Sequence, residues 1–292
     1  MNLRTLLTLG RTSNLPTVWS NMLSGAVLSG AVFGPASLGV LLLCGSAFYE
    51  GGMFLNDAFD AELDARERPN RPIPSGLVTR GTVLNLGFGL LGVGLLLLAV
   101  APFLRLTLPG FQATLAGLGT CAAVLVYNRW HKGHAWSPIV MGACRAGLYA
   151  TAALAVSGKL GTVVVIGAGA LWLYIVGLTH IARFETGKVI DRAWVSAFVL
   201  SPLVAAAPAV ITQKSVLPAL CFALLLGWSL RSMSFALRGG KGQIPRAVVS
   251  LIAGASLVDA LFISLHGTPF AVLAALAAFL LTLKWQRKIP GT

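Results

Sequence analysis

Five of the nine acidic residues of this chain crowd into one stretch, Asn56-Asp57-Ala-Phe-Asp60-Ala-Glu62-Leu-Asp64-Ala-Arg-Glu67. A helix running through it places Asp57, Asp60 and Asp64 at i, i+3 and i+7, with Asn56 one turn before Asp60. All four side chains then project toward one side. Three carboxylates this close repel one another unless a cation neutralises them. Oxygen-only ligands suit Mg2+, which keeps several waters and bridges carboxylates to substrate phosphates. Arg66, Arg68 and Arg71 follow, and then Pro72-Ile-Pro74-Ser-Gly76 stiffens the return of the chain. Cations beside a metal-binding carboxylate set are what a diphosphate requires. The plainer reading is a solvated helix end whose acids pair with nearby arginines. It fits poorly with so much acid gathered in a chain that has little elsewhere.

Other ionisable groups fall in or beside apolar segments. Glu50, Arg145, Asp259 and Arg231 are set among hydrophobic residues, where charge is costly and usually faces a bundle interior. Arg145 is expected to pair with Asp259 or Glu50, or to bind substrate. Asp259 is a candidate for contact with an acceptor. His131 and His134 make a poor metal pair in a short wet loop. Gly87-Phe-Gly89-Leu-Leu-Gly92 matches a dinucleotide fingerprint in letters only, with no strand before it, and reads as close helix packing. Cys44, Cys121, Cys144 and Cys221 stand singly and read as small packing residues.

The elements that must position these groups are membrane helices. Of 292 residues, 56% are hydrophobic and 11% charged, and mean hydropathy is +0.81. No soluble core could bury that much apolar surface. Spans are expected at about 15–33, 37–55, 82–104, 110–127, 136–156, 161–181, 194–211, 216–237, 246–266 and 268–284. The first reads as an uncleaved helix rather than a signal peptide. The result is an all-α bundle of nine or ten transmembrane helices around a central cavity, one domain over 1–292. With the N-terminus inside, only Arg105, Lys159 and Lys214 of the 22 Lys and Arg lie outside, while Arg145 and Arg231 lie within spans. That bias places the acidic stretch on the inner face. It also accounts for the net charge of +13 without nucleic acid, for which no basic arm exists.

Asn56-Asp57-x-x-Asp60-x-x-x-Asp64, followed by Arg68-x-x-Arg71-Pro-Ile-Pro-Ser-Gly, resembles the first signature of the UbiA superfamily of intramembrane prenyltransferases. Asn14-Leu-Pro16-Thr and Tyr127-Asn-Arg-Trp-His-Lys132 are similar to further family motifs, and Gly51-Gly-Met-Phe-Leu-Asn resembles an EboC-like branch. The resemblance implies transfer of a prenyl group from an isoprenoid diphosphate to a lipophilic or aromatic acceptor. Mg2+ is the implied cofactor, in a cell (inner or plasma) membrane with a cytoplasmic-side site. Asp57, Asp60 and Asp64 are the expected catalytic residues, and Asn56, Asp57, Asp60, Asp64 and Glu185 the metal ligands. Substrate contacts are expected from Arg11, Asn14, Arg71, Tyr127, Arg129, Arg145, Lys132, Arg183 and Lys188. The family's second acidic motif is reduced here to Glu185 and Asp191, which puts a second ion in question. Competing readings are a non-catalytic isoprenoid carrier that retains the fold, and a secondary transporter built on Glu50, Arg145 and Asp259.

Overall fold

The computed structural model describes residues 3–108, 110–132, 134–183, 194–238, 242–289 and 291. Every secondary-structure element among them is helical. A short α1 (Leu3–Leu9) and a 3-10 turn (Thr12–Asn14) lead into α2 (Leu15–Leu28), α3 (Pro35–Phe59) and α4 (Ala61–Glu67). The bundle continues through α5 (Arg80–Val100), α6 (Gln112–Trp130), α7 (Ser137–Ser157) and α8 (Thr162–Ala182). It ends with α9 (Trp194–Gln213), α10 (Val216–Arg238), α11 (Gln243–His266) and α12 (Pro269–Gln286).

Local chemistry sets these boundaries. Pro16, Pro35, Pro138 and Pro269 sit in first turns, where a missing N–H costs nothing. Thr79 caps α5 by accepting from the Thr82 N–H at 3.2 Å. Gly158 ends α7 with φ at +66°, a conformation that side-chain-bearing residues resist.

Eight of the described helices are long and apolar enough to cross a bilayer: α3, α5 and α7 to α12. The expected first span, 15–33, is helical only from Leu15 to Leu28, because Gly30 turns the chain at φ +72°. Its 14 residues measure about 21 Å at 1.5 Å per residue, short of a hydrocarbon core of about 30 Å. Leu86, Phe88, Val93 and Leu96 on α5, Val165 and Ile166 on α8, and Leu273 and Leu280 on α12 stand exposed. Apolar belts of that kind belong against lipid, and the chain is an integral membrane protein.

Of three apolar cores among the described residues, the two larger meet on α2, and the third gathers Leu9, Phe54, Ala58, Val78 and Val83. Leu15, Val18, Met22 and Ala26 face α3, α5, α6 and α7, while Leu23 and Leu28 face the α8–α12 half. Within α11 every residue from Ala253 to Ile263 is buried. The glycine pattern expected to serve packing does so. A Cβ added at Gly87 would meet the Leu55 side chain at 2.7 Å, and one at Gly51 would meet the Gly87 carbonyl at 2.9 Å. Helices α3 and α5 therefore touch backbone to backbone beside the acidic stretch.

Candidate active site

The acidic side chains are not a solvated helix end. Asn56, Asp57, Asp60 and Asp64 are all buried, none more than 9% exposed. The helix expected to run unbroken through them is interrupted: α3 stops at Phe59, Asp60 is the joint, and α4 restarts at Ala61. The break divides the cluster. Asp57 and Asp64 still face a common partner, whereas Asp60 turns toward the end of α6.

Each carboxylate has found a cation. The segment after α4 folds back through turns (Arg71 N–H to the Arg68 carbonyl, Ser75 N–H to the Arg71 carbonyl) and delivers Arg71. Its Nη1 donates to Asp57 Oδ1 at 2.9 Å and to Asp64 Oδ2 at 3.2 Å. Arg11 arrives from the N-terminal side. Its Nη2 donates to Asn56 Oδ1 at 3.1 Å and to Asp57 Oδ1 at 3.3 Å. Arg11 holds a left-handed backbone, φ 43° and ψ 44°, a strain of about 1–2 kcal/mol for a residue bearing a Cβ. Charge-assisted hydrogen bonds of about 1.5–3 kcal/mol each offset it.

Asn128, in the last turn of α6, orients Asn56. Its Oδ1 accepts from Asn56 Nδ2 at 3.2 Å, and its own Nδ2 donates to the Gly52 carbonyl at 2.9 Å. With its nitrogen committed there, Asn56 must turn its oxygen toward Arg11 and Asp57. On the other side of the break, Lys132 Nζ lies 2.9 Å from Asp60 Oδ1 and His131 Nε2 lies 3.5 Å from Oδ2. Burial alone would raise the Asp60 carboxyl. The hydrogen bonds and charge of His131 and Lys132 outweigh it and hold Asp60 below the usual carboxylate range. The pair is therefore intact at neutral pH and is lost only as pH falls through that lowered value. Asp60, Arg80, Asn128, Arg129, His131 and Lys132 line a cleft of about 480 Å³.

Deeper in the bundle runs a second polar row. The Tyr49 hydroxyl donates to the Arg11 carbonyl at 3.4 Å. The Arg145 guanidinium lies 5.4 Å from the centre of the Tyr49 ring. Arg145 Nη1 donates to Asn21 Oδ1 at 2.8 Å and to Thr17 Oγ1 at 3.1 Å. Asn21 Nδ2 in turn donates to Asp259 Oδ2 at 2.8 Å, and the Tyr149 hydroxyl donates to Asp259 Oδ1. The expected direct pairing of Arg145 with Asp259 or Glu50 does not form. Asn21 stands between the first two, and Glu50 accepts from the Thr12 hydroxyl at 3.2 Å.

The structure thus gathers Arg11, Asn56, Asp57, Asp64 and Arg71 in one group, and Asp60 and Lys132 in a second beside it. Tyr127 stacks on His131 with ring centres 4.8 Å apart, within reach of the charges of Arg11, Asp60 and Arg183. Arg183 donates to the Ala135 carbonyl at 3.3 Å, and Arg129 lies 6.0 Å from the centre of the Trp130 ring. Asn14 is not brought to the carboxylates. Its Nδ2 donates to the Gly291 carbonyl at 2.8 Å, and its Oδ1 accepts from Gln286 Nε2 at 2.9 Å. Asp259 is fully buried with both oxygens engaged, so it does not present itself to an acceptor. Glu185 and Lys188 lie outside the described residues. Sequence reasoning passed over Asn21, Tyr49 and Asn128, and weighed His131 only as half of a metal pair with His134. An amide inside an apolar segment was the available signal for the two asparagines.

Among the described residues no three His, Cys, Asp or Glu side chains converge on one point, because cationic side chains stand where an ion would. The donor set nevertheless suits a hard ion. Asn56 Oδ1 and Asp57 Oδ1 converge on one guanidinium nitrogen, and Asp57 Oδ1 and Asp64 Oδ2 on another. Those oxygens are of the type that Mg2+ takes.

Known proteins share this architecture. A digeranylgeranylglyceryl phosphate synthase of Metallosphaera sedula is 32% identical over 161 residues, 55% of this chain and 44% of that protein. One from Ignicoccus hospitalis is 40% identical over 101 residues, 34% of this chain and 33% of that protein. The chain therefore aligns with less than half the length of these relatives. Among solved structures, a UbiA homologue from Aeropyrum pernix K1 superposes with a TM-score of 0.66 at 17% identity, covering 85% of this chain and 96% of that one. A UbiA homologue from Archaeoglobus fulgidus bound to DMAPP and Mg2+ superposes at 0.53 with 13% identity, covering 98% and 100%. Identities this low speak for the fold alone. The family model itself matches residues 14–238, a segment that contains the whole acidic stretch, the end of α6 and Arg145, and by that match the chain belongs to the UbiA prenyltransferase family.

Proposed function

We propose that this chain is an intramembrane prenyltransferase, taking an isoprenoid diphosphate with Mg2+ at the α3–α4 cluster and passing its prenyl group to a lipophilic acceptor, aromatic or glyceryl phosphate in kind. The carrying observation is a set of buried oxygen ligands, Asn56, Asp57 and Asp64, each held by an arginine that can be re-used on phosphate. The names of the relatives and the DMAPP and Mg2+ of the A. fulgidus homologue favour the same reading. So does the lysine and arginine bias, which points to a cell (inner or plasma) membrane with the cluster on its cytoplasmic face.

Bound Mg2+ supplies Lewis-acid stabilisation of the charge that builds on the leaving diphosphate. Asn56, Asp57 and Asp64 would hold the ion. Arg11 and Arg71 would then be free to offer their guanidinium forks to diphosphate oxygens. Lys132 and Arg129 line the cleft from the α6 side, with Tyr127 and Arg183 beside them. Glu185 and Lys188, between α8 and α9 in the sequence and outside the described residues, are proposed to complete the site.

Pyrophosphate release by the protein in lipid tests this reading. Prenyl diphosphates of several lengths are offered with Mg2+ and a panel of aromatic and glyceryl phosphate acceptors, with Asp57→Ala alongside. Mg2+-dependent release that the variant lacks supports the transferase. Binding of prenyl diphosphates without pyrophosphate release in the presence of any acceptor favours a carrier instead, and absence of binding rejects both.

A further inference from the structure

Arg231 carries its charge on a face of α10 that meets lipid. Leu220, Leu224 and Gly227 are exposed at i, i+4 and i+7, and Arg231 continues the same stripe at i+11. The sequence grouped it with charges that face a bundle interior; the structure turns it outward. It lies seven residues before the end of α10 at Arg238, about 10 Å at 1.5 Å per residue.

Two aromatic rings hold the guanidinium there. Its Cζ is 5.2 Å from the centre of the Trp228 ring and 5.9 Å from that of Phe235, one turn to either side on the same face. Trp228 is itself fixed, because its N–H donates to the Ser250 carbonyl of α11 at 2.8 Å and its ring meets Phe279 of α12 edge-on at 4.8 Å. From α11, Arg246 stacks on the same Phe235 ring, 5.2 Å from its centre. The two guanidinium groups therefore lie within about 11 Å of each other.

No carboxylate on the described parts of these helices balances them. The one acid on α10, α11 and α12 is Asp259, buried and 13 residues beyond Arg246, about 20 Å along α11. Neither guanidinium has an ion pair among the described residues. Like charges beside a low-dielectric layer repel, and the aromatic faces recover only part of that cost. An anion shared by both would remove it. The exposed leucines on the approach say which kind. A phospholipid supplies both parts at once, a phosphate for the arginines and an acyl chain for Leu220 and Leu224. A zwitterionic headgroup would bring a further cation to a place that already holds two, so a net negative headgroup fits.

We infer that Arg231 and Arg246, mounted on Trp228 and Phe235, bind the headgroup of an anionic phospholipid from the surrounding bilayer, which ties α10 to α11. The inference goes beyond the transferase reading and does not depend on it.

The test uses the full chain, purified in a nonionic detergent and stripped of lipid. Dioleoylphosphatidylglycerol or dioleoylphosphatidylcholine is titrated in, and native mass spectrometry reads the affinity of the first lipid bound. The native chain should take phosphatidylglycerol at least about tenfold more tightly than phosphatidylcholine. Arg231→Gln and Arg246→Gln should each reduce that ratio below about threefold, and Arg231→Lys, which keeps charge but not the flat stacking face, should retain part of it. Arg238→Gln removes a cation from the same helix end that stacks on neither ring, and should leave the ratio unchanged. A native chain without headgroup preference overturns the inference, as does a preference that survives Arg231→Gln. An equal fall in Arg238→Gln also overturns it, since that is general attraction to a basic surface. Parallel loss of both lipids in Arg231→Gln, with the ratio kept, rejects the headgroup site as well.

Discussion

The two charged regions of this bundle solve the same problem in opposite ways. At the end of α3, three carboxylates are met directly by cations, with Asp57 shared between Arg11 and Arg71 and Asp60 taken by Lys132. One turn of aromatic packing deeper, Arg145 and Asp259 are kept apart by the amide of Asn21. The shallow region opens on a cleft, and its guanidinium groups come from the N-terminal turn and the α4–α5 loop. The deep one is built from side chains on α2, α7 and α11, in the most enclosed part of the fold. Direct ion pairs on loops can exchange partners when a metal and a phosphate arrive. A charge relayed through an amide between packed helices stays where it is. The shallow region is thus suited to binding that changes its pairing, and the deep one to fixing α2, α7 and α11 against one another.

The comparison breaks most visibly at Asp57, the residue both arginines share. Asp57→Ala should weaken Mg2+-dependent binding of a prenyl diphosphate by at least about a hundredfold, since it removes a metal ligand and the hub of the arrangement; equilibrium binding in nanodiscs reads this. The deep row should answer with stability instead. Asp259→Ala leaves the Asn21 amide and the Tyr149 hydroxyl without their buried acceptor. It should cost about 1–3 kcal/mol for each donor left unsatisfied, read as a lowered unfolding midpoint.

Arg71→Gln separates the regions more finely. It should lower prenyl diphosphate affinity by about tenfold while raising affinity for Mn2+ alone, because the carboxylates are no longer occupied; titration by electron paramagnetic resonance reads both. The smallest effect is expected at the end of α12. Gln286→Ala removes hydrogen bonds to Asn14 and to the Val249 carbonyl and should cost about 1–2 kcal/mol of stability, with Mn2+ affinity unchanged.

A helix stands at each of the ten places where a span was expected, and eight of these are long and apolar enough to cross a bilayer, because apolar runs between glycines and prolines leave few alternatives in lipid. Asn56, Asp57, Asp60 and Asp64 stood out for a related reason, as concentrated acid in a nearly acid-free chain. The break at Asp60 was not legible. No proline or glycine lies between Asn56 and Glu67, and the turn coincides with the pull of Lys132 and His131, more than 70 residues away in the chain. The relay of Arg145 through Asn21 was hidden for the same reason, since Asn21 and Asp259 are 238 residues apart. The engagement of Asn14 by Gln286 and Gly291 joins the two ends of the chain. A motif read locally cannot show that its amide is already committed.

The most direct test of exchangeable pairing is the affinity of the native chain for Mn2+, measured with and without geranylgeranyl thiolodiphosphate. If Arg11 and Arg71 leave the carboxylates for the diphosphate, donor and metal must favour each other. Mn2+ should then bind at least about tenfold more tightly when the donor is present, and Arg71→Gln should shrink that gain. Equal Mn2+ affinity in both conditions, or a gain untouched by Arg71→Gln, would contradict the account.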